Sequence, residues 1–402
     1  MDINVKKLSK VDFFLPHTEQ NSWIAFFTHQ LAKSFEQLGI ETRLLVSPKN
    51  KDPKQFLDDL FKHAPDCTLC FNGVLPDEKG NSLADLIKIP HLAILTESPN
   101  NFLALAKSTY TTTLSPDQQY LDILKEGGCK KTLFFPLAAP IHKGINRPLA
   151  DRTGSVLMAP VWLDGEKIKA FWKQNLPKKM TDFLEKVVAR CLANRSVSYF
   201  HAFQLVLAEH TQEEQQQFLP WTTFSLFDQI ESVLRETDMI ELLSALDGLK
   251  IDLAIEKGTL KQWETRLGTL AANCTFHEGV TPEETLYLIG NTKIFLASSP
   301  QFKFGATTDL YTALLMGAYT FHSSSEFLEW GYGKDRGVFF YPYQNKEAIL
   351  ERAKLVLAKP ELFQEEVNKG RQIVLESETW LNRAQLLIDF IPSILGQPHG
   401  AV

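Results

Sequence analysis

Four short stretches carry residue types that could do chemistry. In PHTEQNSW, His17 and Glu19 can each accept a proton from a hydroxyl within hydrogen-bond reach, although Thr18, Asn21 and Ser22 also read as ordinary helix caps. TESPN sets Glu97 two residues before Pro99, as a second candidate base or as an exposed turn acid. IEKG pairs Lys257, a cation suited to phosphate, with Gly258, which lets a ligand approach the backbone. FKFGATTDLY holds a second cation, Lys303, then Gly305 and the hydroxyls of Thr307 and Thr308 ahead of Asp309. Either threonine suits a helix N-cap, and free N–H groups at such a start can hold phosphate. The ordinary explanation is a capped helix that binds nothing, beside solvated lysines.

These loops need a frame, and the hydrophobic pattern supplies one. Val11 to Leu15, Thr42 to Val46, Cys67 to Phe71, Pro90 to Leu95, Tyr110 to Leu114 and Lys131 to Phe135 read as short buried strands. Between several of them lie amphipathic helices stopped by glycine, at Gly39 and at Gly127-Gly128. Strands alternating with helices at this spacing predict a parallel sheet covered on both faces. PIHKGINRPLADR, 140–152, is polar and reads as a linker. A second set follows: SVLMAPVW, KIDLAI, CTFH, KIFLA and VFFYP as strands. Within it, Glu166 to about Ala245 is helical in period without a clear strand, and reads as an insertion whose EHTQEEQQQF run is a solvated helix face or loop rather than a partner site.

The expected fold is therefore α/β, with two Rossmann-like doubly wound domains. Residues 1–150 form the first, joined by a C-terminal helix at 378–396, and residues 151–377 form the second, with the helical insertion at about 165–245. Two such halves would face each other across a cleft, and ligands bind where strand C-termini meet helix N-termini.

Composition narrows the function. The chain has 402 residues, 44% hydrophobic and 22% charged, with 42 basic against 48 acidic residues and a net charge of −6. No general attraction to nucleic acid is expected. Five cysteines, at 67, 70, 129, 191 and 274, form no even framework and suggest a reducing compartment. CTLC, 67–70, has no second CxxC to complete a zinc site, and reads as a buried strand. No apolar run of membrane-spanning length and no signal peptide stand out, so a soluble, cytoplasmic protein is expected. No Asp-x-Asp ends a strand, and neither a G-x-G-x-x-G nor a P-loop is present.

Several segments, taken in order, resemble the two-domain GT-B glycosyltransferases, in particular the CgeB-like branch with family 1-type domains. They are VTPEETLYLIGNTKIFLASSP, LYTALLMGAYTF, the long block from SEFLEWGYG to GRQIV, and ETWLNRAQLL. In the N-terminal half HLAILTESPN and LFFPLAAP are similar to that family's strand ends. The resemblance covers most of the chain outside about 165–240. It implies a hexosyltransferase that moves a sugar from a nucleotide-sugar donor to an unknown acceptor (glycan, protein or small molecule). It implies no metal and no cofactor beyond that substrate.

The resemblance also assigns roles. The first loop would lie on the acceptor side, with His17, Glu19 or Glu97 as base. Lys257, Gly258, Lys303, Thr307 and Thr308 would lie at the donor phosphates, and FHEGV, with His277 and Gly279, would hold the base through backbone groups. The small-residue helix of LYTALLMGAYTF would begin under the diphosphate and stop at Gly317, so that the next strand and the turn HSSSEF start at once. One departure stands out: the family usually has Glu, which holds the donor ribose, where this chain has Thr312. The Arg often found a few residues earlier is absent too. Asp309 either takes over the ribose or repels a diphosphate. A GT-B-shaped binding or scaffold protein without catalysis is the alternative.

Overall fold

The structure, a computed structural model, describes residues 7–15, 22–46, 53–140, 147–218 and 224–395. The chain divides into two compact units, Met1–His142 with Leu375–Val402, and Lys143–Val374.

The first unit is built on six parallel strands: β1 (Lys10–Leu15), β2 (Glu41–Val46), β3 (Cys67–Phe71), β4 (His91–Ile94), β5 (Thr111–Ser115) and β6 (Thr132–Phe134). They lie in the order β2-β1-β3-β4-β5-β6. Central β3 is buried along its whole length, as a parallel strand covered on both faces must be. The CxxC is thus strand core, and burial raises both thiols, Cys70 to about 12. Asp12 in β1 is fully buried, and its register partner Arg43 on β2 meets the charge through Nη2 at 2.5 Å and Nε at 3.1 Å.

The closing helix, Trp380–Phe390, belongs to this unit for a physical reason. Trp380 is fully buried, its ring 5.6 Å from both Phe27 and Phe71. One turn on, Arg383 donates to the carbonyls of Pro136 at 2.7 Å and Leu137 at 3.3 Å, and pairs with Glu378. The segment ETWLNR thus carries an apolar anchor and a fork that satisfies the chain leaving β6.

The second unit has six more parallel strands: β7 (Gly154–Met158), β8 (Ile251–Ile255), β9 (Cys274–Glu278), β10 (Thr292–Ala297), β11 (Tyr319–His322) and β12 (Val338–Phe340). Their order is β12-β11-β10-β7-β8-β9. Counting β7 as the first strand, this is the 3-2-1-4-5-6 order, which reverses between β7 and β10. Val156, Leu253, Leu296 and Phe321 share one core with Trp263 and Ile349 from the covering helices. Five helices separate β7 from β8: Gly165–Asn175, Lys178–Ala193, Tyr199–Ala208, Gln212–Phe218 and Phe224–Ala245. They have an aromatic centre of their own, where Phe183 stacks on Phe218 at 4.6 Å and meets Phe203 edge-on at 5.0 Å. Among the described residues no helix is long and apolar enough to cross a membrane.

Candidate functional site

Beyond the reversal point the chain leaves β10 at Ala297, runs through 298–307 and enters the helix Thr308–Leu315. This helix is finished at one end only. At its C-terminus Arg152, 3% exposed, donates to the carbonyl of Met316 at 2.8 Å, and also to those of Thr292 at 2.9 Å and Ile289 at 3.3 Å. A cation among helix-end carbonyls is the arrangement the helix dipole favours. Burial, with Arg371 and Arg147 nearby, lowers the guanidinium to about 10, so it stays charged at neutral pH. Gly317 is required twice over: its φ is +76°, and a Cβ there would stand 2.6 Å from Nη2 of Arg152. The expected linker therefore ends in a buried anchor, not in a solvated arginine.

At the other end Thr307 occupies the N-cap position with extended backbone, but its side chain caps nothing, and its Oγ1 is buried without a hydrogen-bond partner. Helix starts leave their first N–H groups without intrahelical partners. Three further buried side-chain atoms, in the loop, the helix and the end of β11, also lack partners: Oε1 of Gln301, Oγ1 of Thr312 and Nε2 of His322. These residues are 8%, 3% and 1% exposed. His322 ends β11, where its Nδ1–H donates to the carbonyl of Ser323 at 2.6 Å, and burial lowers its pKa to about 4. Asp309, in the first turn, keeps exposed surface although protein packs densely around it. That packing raises its carboxyl to about 6, while Arg235 pulls it down. The exposed surface and the helix start both favour the carboxylate more than the crowding alone implies.

The serine cluster is not the exposed turn its polarity suggests. Ser323 and Ser325 are 1% and 3% exposed. Ser323 Oγ accepts from the N–H of Ser299 at 2.8 Å, and Ser325 Oγ donates to the carbonyl of Gly305 at 3.0 Å. Hydroxyls here staple the turn after β11 to the loop after β10, which is why they are buried.

The insertion adds residues that sequence reasoning left out. Asp238, on the helix Phe224–Ala245, is 1% exposed and accepts from Ser298 at the end of β10 and from Tyr341 at 2.7 Å. Burial raises its pKa, against the pull of those hydroxyls and of Arg195. Arg195 pairs with Glu241 at 2.6 Å and lies over the Tyr343 ring at 4.6 Å. The carbonyl of Arg195 accepts from Nζ of Lys303. Lys303 thereby ties the loop to the insertion. Only the hydroxyl-rich composition of 298–309 hinted at this network.

The remaining candidates fall in two other places. Lys257 and Gly258 follow β8, while His277 and Gly279 stand at the end of β9. Lys257 is exposed, its Cβ 3.2 Å from where a side chain on Gly279 (φ +69°) would begin, so the two turns sit against each other. Gly258 donates its N–H to Glu278, and His277 Nε2 lies 2.7 Å from Asp252 Oδ1. Glu97 is exposed in the bend after β4 of the first unit. His17 and Glu19 lie outside the described residues. A cavity of about 300 Å³ opens at the opposite ends of the strands, beside Gly154, Asn291 and Thr292, and includes none of these candidates. Among the described residues no three His, Cys, Asp or Glu side chains cluster as metal ligands.

Comparison with known proteins agrees with this fold. A family model described as "Glycosyl transferase-like" matches residues 235–389, from the last helix of the insertion to the closing helix. Three solved structures share the fold at low identity. A glycosyltransferase from Rickettsia africae is 10% identical, with TM-score 0.58, over 98% of this chain and 100% of that one. A sucrose-phosphate synthase from Thermosynechococcus elongatus is 10% identical, with TM-score 0.57, over 95% and 98%. HepE of Anabaena, solved with UDP and glucose, is 11% identical, with TM-score 0.52, over 96% and 100%. Comparison with curated protein sequences gives no match. The chain thus has the two-domain α/β fold of GT-B glycosyltransferases.

Proposed function

We propose that this protein is a glycosyltransferase that moves a sugar from a nucleotide-sugar to an acceptor hydroxyl or amide without a metal, as a hexosyltransferase of the CgeB-like branch. The observation that carries the reading is the unfinished start of the helix Thr308–Leu315, with buried polar atoms of Gln301, Thr307, Thr312 and His322 lacking protein partners. Such groups are costly to leave unmet, and a diphosphate with its ribose supplies both the charge and the hydroxyls that would meet them. The family-model match over 235–389 and the UDP and glucose of the Anabaena structure support a nucleotide-sugar donor.

In this reading the helix N–H groups stabilise the leaving diphosphate. Lys257, exposed beside Gly279, adds a mobile cation, and His277 and Gly279 lie at the base. Asp309 accepts from the ribose. His17, Glu19 and Glu97 are the proposed bases of the first unit.

Saturation-transfer NMR of the folded protein against nucleotide-sugars and free nucleotides tests this, with Lys257→Ala beside it. One nucleotide class should bind, more weakly in the variant. Absence of binding across the panel would sink the reading. Thr312 favours a second one: its uncharged side chain cannot replace a carboxylate at the ribose, as a protein that binds without turnover would tolerate. Nucleotide binding with no sugar release or transfer would select it.

A further inference from the structure

The donor site proposed above needs a cation held where phosphate would sit, and Lys303 is already committed to the carbonyl of Arg195. The helix Phe224–Ala245 carries another. Glu231, Arg235 and Asp238 are spaced i, i+4, i+7, so they share one face. The direction of that face is fixed by its last member. Asp238 is buried at the end of β10, bonded to Ser298 and Tyr341. Arg235, one turn earlier, must then project along the same strand edge toward the loop 298–307 and the helix that follows it. Its attraction for Asp309, in the first turn of that helix, agrees with this placement. The Arg235 side chain is 27% exposed, and it stands 3.7 Å from Glu231 Oε1, too long for a tight fork.

We propose that Arg235 is the diphosphate ligand of the donor site, delivered by the helical insertion, with Asp238 as the positioning residue that sets its register. The inference rests on the nucleotide-sugar reading. It is supported independently of the helix start by two buried atoms without hydrogen-bond partners, Oγ1 of Thr312 on the same helix and Nε2 of His322 on the adjoining strand. The insertion is then part of the active site, and its five helices hold a phosphate-binding arginine where the loop itself offers none.

Affinity measured for a nucleoside diphosphate and for its matched nucleoside separates the possibilities: UDP with uridine, GDP with guanosine, ADP with adenosine. For the pair that binds, Arg235→Met should weaken the diphosphate at least tenfold and leave the nucleoside within twofold. Arg235→Gln, which keeps most of the stem, repeats the test should the methionine variant fail to fold. A variant that binds the diphosphate as tightly as the unaltered protein overturns the role of Arg235 and leaves the nucleotide-sugar reading standing. An equal loss for diphosphate and nucleoside would also overturn it, by showing a general disturbance of the pocket. If the folded, unaltered protein binds no member of the panel, both fail together.

Discussion

The two ends of the helix Thr308–Leu315 are treated in opposite ways. At its C-terminus Arg152 meets the carbonyls of Met316, Thr292 and Ile289 with one buried guanidinium, and Gly317 gives it room. At its N-terminus the cap residue does not cap, and polar atoms of Thr307 and Thr312 are left without partners. The closed end is fully buried and the open end keeps surface at Thr307 and Asp309, yet the Oγ1 atoms of Thr307 and Thr312 are themselves buried, so water does not stand in for the missing partners. A fold that can supply a buried arginine at one end could supply a capping hydroxyl at the other. The unfinished end is therefore read as the functional one, and the finished end as its support.

The sharpest way to break this contrast is to unfinish the closed end. Arg152→Met keeps a shorter, unbranched apolar stem and removes every donor. The carbonyls it serves would be buried without partners, at a cost of about 3–5 kcal/mol. Thermal unfolding should shift down by roughly 10 °C, on the scale of 2–4 °C per kcal/mol for a unit of this size. Nucleotide affinity at a temperature where the variant is folded should stay within a few-fold. A variant as stable as the parent would show that the finished end is not what holds the helix.

The next test uses pH. His322 is held neutral, with a pKa lowered to about 4 by burial. In the unfolded chain it protonates near its ordinary value of about 6.5. Its contribution is whole above that value and is lost as pH falls from about 6.5 toward 4, because the unfolded state then binds the extra proton. Between pH 7 and pH 5 this amounts to about 2 kcal/mol. His91, buried at the start of β4 with the same depression to about 4, adds a similar loss in the first unit. Denaturant unfolding at pH 7 and pH 5 of His322→Gln against the parent isolates the term: the variant should be less sensitive to acid. A ligand bonded to Nε2 would add stability at pH 7, sharpening the contrast between the two helix ends.

Much of this fold was legible in the sequence because its signals are local. The buried runs CTLCF and HLAIL, the glycine that follows Met316, and the helical period of the insertion each announce themselves within a few residues. The supports of the site are not local. Arg152 meets Met316 across 164 residues, and Asp238 meets Tyr341 across 103. Arg152 stands beside a polar run and looks like linker, while Asp238 and Arg235 stand on a helix that looks separate from the sheet. Periodicity places such residues on an element but does not say which distant loop the element covers. Ser323 and Ser325 were misleading for the converse reason: composition suggests exposure, and tertiary staples bury them.

The smallest expected effect is also the most discriminating. Thr312→Val is nearly isosteric and replaces a buried hydroxyl that has no protein partner. If nothing ever bonds that hydroxyl, its removal should be neutral or stabilising by less than about 1 kcal/mol, since an unmet polar group is the more costly choice in a core. If the hydroxyl faces a bound ribose, stability in the free protein should behave the same way, but nucleotide affinity should fall several-fold. Paired unfolding and binding measurements on this one variant therefore separate a packing remnant from a ligand contact. An unchanged affinity would remove Thr312 from the site and leave the open end of the helix to Thr307, the backbone N–H groups and Arg235. A fall in affinity without a fall in stability would mark the unfinished end as a site whose missing partner is the ligand.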